Sequence, residues 1–200
     1  MKKKLAKLTS NILNPFLVSL VVIVLISLDS TSSLFEALKW SLIAVALTIL
    51  PVFGVILFLV RKGKIDGIFI SIREQRYRIY LLASTCAILS WAVLTYLGAP
   101  LTLVAAFVSG LSAIIIFMCI NLWWKISVHT AFISGSVTVM IILYGVAGTA
   151  IAVLLPLITW SRIELEHHSL AQAATGAVLA ALIATAVFYL FGLIGPVASI

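Results

Sequence analysis

Three short polar clusters interrupt an otherwise apolar chain. They are Arg73-Glu74-Gln75-Arg76-Tyr77-Arg78, then Lys125-Ile126-Ser127-Val128-His129-Thr130-Ala131, then Ser161-Arg162 followed by His167-His168 and Gln172. Polar groups of this kind are costly beside lipid and mark functional positions by default. Hydrolysis of a phosphate ester needs cations for the phosphoryl oxygens, a nucleophile, and an acid for the leaving group. The guanidinium fork suits the oxygens because it offers bidentate, charge-assisted hydrogen bonds. A neutral imidazole can attack phosphorus, and a second one near its ordinary pKa can protonate the leaving oxygen. The clusters therefore hold the parts for histidine-based phosphate chemistry. Taken singly, His168 reads first as an interfacial histidine hydrogen-bonded within a bundle; its combination with Arg162 and His129 favours chemistry.

The rest of the chain must place these groups in or beside a bilayer. Of 200 residues, 64% are hydrophobic and 10% charged. The mean hydropathy is +1.28. A water-soluble domain cannot bury that much apolar surface, so the chain reads as an integral membrane protein. The formal charge of +7 fits membrane topology and an anionic ligand rather than nucleic acid. Cys86 and Cys119 each sit in an apolar run and read as small buried side chains, not a disulfide. Nothing has metal-ligand spacing: His167 and His168 are adjacent, so on a helix they diverge. Neither a metal nor another cofactor is expected.

A helix needs roughly 20 apolar residues to cross a bilayer. The expected fold is an all-α, polytopic transmembrane bundle of six to seven spans, near 12–28, 37–60, 79–97, 101–122, 128–144, 146–160 and 170–194. The fifth and sixth are short, and either form two tight crossings or one broken helix; two are expected, since together they exceed one crossing. Residues 1–60 read as an N-terminal hairpin and 61–200 as the core. Lys2, Lys3, Lys4 and Lys7 place the N-terminus in the cytoplasm. Counting crossings in pairs then brings all three clusters to the cytoplasmic face. Tyr77, Tyr80, Trp123, Trp124 and Trp160 read as an interfacial aromatic belt.

The third cluster resembles a signature of the type 2 phosphatidic acid phosphatase and haloperoxidase superfamily: Ser-Arg, five residues, His, three residues, Asp. Here Ser161-Arg162 leads after that interval to His168, and Gln172 stands where the signature has Asp. Ser127-Val128-His129-Thr130-Ala131 is similar to a second signature, Pro-Ser-Gly-His, often continued by Thr-Ala. The resemblance implies His168 as nucleophile, His129 as general acid and Gln172 as the group that orients His168. It implies phosphate binding by Arg162 and Ser127, with Lys125 as a compensating charge. Arg73 and Arg76 stand in the region of the first signature (Lys, six residues, Arg-Pro) and are assigned to phosphate, although that pattern is not present. Ile126 and Val128 replace the proline and glycine of the second signature.

The expectation is a membrane lipid phosphatase, in the plasma membrane with its site at the cytoplasmic face. Its substrate would be an isoprenoid diphosphate or a phospholipid phosphate, and its other partners membrane lipids. The alternative is a non-catalytic lipid-phosphate binder, flippase or transporter. It draws on Gln172, Val128 and the missing first signature. Oligomeric state is not encoded legibly.

Overall fold

The computed structural model describes residues 1–70 and 72–194. Among them there is no strand: α1 (Lys2–Ile12), α2 (Pro15–Asp29), α3 (Leu34–Leu47), α4 (Ile49–Arg61), α5 (Arg76–Tyr96), α6 (Leu101–Asn121), α7 (Val128–Tyr144), α8 (Leu154–Glu164) and α9 (Leu170–Leu190) follow one another, with 3-10 segments at Arg73–Gln75 and Gly145–Val153. The chain is an all-helical integral membrane protein. Five helical runs are long and apolar enough to cross a bilayer, or six if the α1–α2 pair, bent by 42°, counts as one. Six meets the lower end of the six to seven spans expected, and five falls one short of it. The seventh expected span is lost at 128–164, where helix follows helix without a break and the whole counts once.

That run doubles back on itself. Gly145 adopts φ +57, where a side chain would be strained. A Cβ on Gly148 would lie 2.2 Å from the Met140 carbonyl oxygen, so the 3-10 segment is folded tightly onto the end of α7. Ile158 of α8 then packs with Ile133 and Val137 of α7. The two short segments are thus the legs of a helical hairpin.

The helices fall into two compact units, drawn differently from the 1–60 and 61–200 division expected. One comprises Met1–Val18 and the chain from Ile126 onward; the other is Ser19–Lys125. In the second unit α5 and α6 form an antiparallel hairpin through a turn at Gly98, φ +73. Tyr80 is buried there, against the belt position expected for it.

In the first unit the most extensive helix contact is between α7 and α9. Thr130 Oγ1 donates to the Ala173 carbonyl at 3.0 Å, and Ser134 Oγ to the Ala177 carbonyl at 2.7 Å. Both pairs are offset by 43 residues. A constant offset means that the two helices run parallel. Small residues permit this: Ala173, Ala177, Ala180 and Ala184 of α9 are buried, and a Cβ on Gly176 would stand 2.7 Å from the Ser127 carbonyl oxygen. In lipid there is no solvent-driven force between helices, so close backbone approach and interhelical hydrogen bonds must hold them.

Gly176→Ala should therefore lower the thermal unfolding midpoint of the protein in detergent, by the equivalent of about 1–3 kcal/mol. Gly110→Ala, where a Cβ meets nothing within 4 Å, should leave the midpoint unchanged or raise it.

Candidate functional site

The parallel register brings two helix N-termini side by side. Ser127 is the N-cap of α7 and Ser169 that of α9, and the Ser127 N–H donates to the Gln172 carbonyl at 3.3 Å. Each N-terminus presents unsatisfied N–H groups and the positive end of a helix dipole. Two together favour an anion and disfavour cations. His129 lies in the first turn of α7 and is buried. Ser127 is wholly buried, and its Oγ has no hydrogen-bond partner among the described residues, although an N-cap serine ordinarily bonds back to its helix.

The last turn of α8 supplies Arg162 to the same end of this unit. Its carbonyl accepts from the N–H groups of both His167 and His168, at 3.1 and 3.3 Å. The loop thus satisfies the exposed end of α8 and turns straight into α9. The turn passes through Glu166 at φ 58, a left-handed position usually held by glycine. Glu166 accepts from Lys3 Nζ at 2.9 Å, and this hydrogen bond holds its carboxyl below the ordinary carboxylate value. Both partners are exposed, so the pair contributes little stability.

His168 immediately precedes the α9 N-cap and is buried. Its Nδ1 lies 3.1 Å from Gln172 Oε1. The same oxygen accepts from the Ser169 N–H at 3.2 Å, while Ser169 Oγ accepts from the Gln172 N–H at 3.2 Å. This reciprocal capping box fixes which end of the amide faces the imidazole. An oxygen already accepting one N–H can face Nδ1 only as acceptor, so Nδ1 carries the proton. In the neutral ring this puts the lone pair on Nε2.

Of the residues named from sequence, Ser127, His129, Arg162, His168 and Gln172 belong to this unit and stand at one end of it. Lys125 is the last residue of the other unit, to which Arg73 and Arg76 also belong. There Arg73 Nη1 donates to the Leu122 carbonyl at 2.9 Å, and its own carbonyl accepts from Asn121 Nδ2 at 3.2 Å. Arg76 is buried, and its Nε donates to the Ile70 carbonyl at 2.9 Å. Both arginines serve the connection into α5 and the end of α6. These contacts account for where the two side chains lie and do not test their assignment to phosphate.

Two participants escaped the sequence reading. Arg162 Nη1 donates to Ser10 Oγ at 2.7 Å, and Ser161 Oγ to the Ala6 carbonyl at 2.6 Å. Helix α1 is thus docked on α8 rather than lying outside the core. Ala6 and Ser10 are an i, i+4 pair of small residues, but nothing local names their partner. Ser169 was legible, since Ser-x-x-Gln before an apolar run is a capping box.

No known protein-family model, curated protein or solved structure matches the chain. Among the described residues, no group of three or more His, Cys, Asp and Glu could hold a metal ion.

Ser169→Ala should cost about 1 kcal/mol of stability. It removes the acceptor for the Gln172 N–H but keeps the Ser169 backbone N–H that donates to Gln172 Oε1. In ¹⁵N spectra of histidine-labelled protein, His168 is expected as the Nδ1–H tautomer in the parent and in Ser169→Ala, and as a tautomer mixture in Gln172→Leu, which lacks the acceptor.

Proposed function

We propose that the chain hydrolyses a lipid phosphate or diphosphate through a phosphohistidine on His168, using protein groups alone. The observation that carries this reading is the pairing of two parallel helix N-termini with a buried arginine and two buried histidines. Such an end attracts an anion strongly, and the capping box turns Gln172 Oε1 toward His168 Nδ1.

The reaction has two balanced steps. His168 Nε2 attacks phosphorus, and the bond to the leaving oxygen breaks as His129 gives that oxygen a proton. Water then attacks the phosphohistidine, losing a proton to the now neutral His129, and inorganic phosphate departs. Arg162 and the two helix ends hold the charge of the transferring oxygens. Ser127 Oγ, buried and without a partner among the described residues, is available to donate to one of them. Gln172 fixes the tautomer of His168, although an amide stabilises the imidazolium less than a carboxylate does. The substrate tail stays in lipid, which favours an amphiphile such as an isoprenoid diphosphate or a phosphatidate-like lipid. The site is assigned to the cytoplasmic face of the plasma membrane.

A second reading, a non-catalytic binder or carrier of lipid phosphates, has one observation in its favour. Arg162 is held by Ser10, and the two arginines of the first cluster are held by backbone carbonyls.

The test is phosphate release by purified protein in detergent, over a panel of prenyl diphosphates and lipid phosphates. The parent should release phosphate. His168→Ala should remove at least about 1000-fold of the rate, as loss of a nucleophile does, and His129→Ala about 100-fold or more. A folded parent that binds these lipids and releases nothing would establish the binder instead.

A further inference from the structure

Helix α1 carries three distinct faces. Ala6 and Ser10 are buried against α8. Leu5, Leu8 and Ile12, at helical spacing, form a second face and are 52%, 55% and 56% exposed. Lys4 and Lys7, with Asn11 one turn on, form a third and are exposed. Lys3 is engaged by Glu166, whereas Lys2, Lys4 and Lys7 have no ion-pair partner among the described residues. The first acidic residue of the chain is Asp29, so nothing within α1 neutralises the lysines. An aliphatic stripe beside a cationic one, on a helix packed against α8, fits the boundary between acyl chains and headgroups.

We propose that the two outer faces of α1 dock on an anionic phospholipid leaflet. Leu5, Leu8 and Ile12 enter the acyl boundary, and Lys2, Lys4 and Lys7 meet the headgroup phosphates. The occupant follows from charge: the surface offers cations only, and the leaflet offers phosphates beside hydrocarbon. This does not rest on the phosphatase reading. Its consequence for the site is that the helix seated on the leaflet also holds Arg162 and the α8 terminus, through Ser10 and Ala6.

The test uses full-length protein with Cys86 and Cys119 replaced by serine and a spin label on Leu8→Cys. The protein is placed in nanodiscs of phosphatidylcholine, alone or with about a third phosphatidylglycerol. Collision with oxygen reports acyl immersion, and collision with a neutral nickel chelate reports water. The ratio of oxygen to nickel collision should rise several-fold with phosphatidylglycerol and fall back in high salt. Adding Lys4→Gln and Lys7→Gln should remove most of that lipid dependence. The lipid comparison uses one labelled protein, so it stands even if the lysine variant fails to fold. An oxygen ratio that is the same in both discs would overturn the proposal, whether the label is immersed or wet.

Discussion

The close parallel contact between α7 and α9 is the constraint on which the rest depends. Parallel neighbours place like dipole ends together, which is unfavourable unless something offsets it. Here the contact is held by backbone approach at Gly176 and by the hydroxyls of Thr130 and Ser134 reaching across to α9 carbonyls. Its result is a concentrated positive end that carries Ser127, His129, Ser169 and Gln172. The hairpin reversal at Gly145 is what makes the arrangement possible. It returns α8 antiparallel along α7, so that Arg162 arrives at the same end. A short loop then reverses direction and begins α9.

Polar atoms in this unit are concentrated where backbone groups are unsatisfied. Helix ends in an apolar medium need partners, and the loop at 165–169 supplies them through main-chain bonds to Arg162 and through the Ser169 capping box. The same bonds orient His168. Structural satisfaction of the α8 and α9 ends and preparation of the imidazole are therefore one set of interactions. Separating them experimentally requires a readout such as tautomer state rather than stability alone.

Much of the fold was legible in the sequence. Apolar run lengths located α5, α6 and α9 closely, since a bilayer imposes that length on each helix. The basic α1 was not foreseen as an element of the core, because its docking depends on Ala6 and Ser10, small residues that carry no signal alone. The hairpin at 145–153 was half visible: its glycines marked a break, but only the approach of Gly148 to Met140 establishes the reversal. For the site, Arg162, His168 and Gln172 share one turn of chain, so their spacing was informative. Arg73 and Arg76 were legible as cations, but the backbone carbonyls they meet were not.

The central claim is covalent chemistry at His168, and trapping the intermediate tests it most directly. Protein in detergent would be mixed with a ³²P-labelled lipid phosphate, quenched in alkali within a turnover, and digested. The account predicts an alkali-stable, acid-labile label on the peptide containing His168, which disappears on a chase with unlabelled substrate. Phosphate release with no labelled protein, or label on another residue, would contradict it.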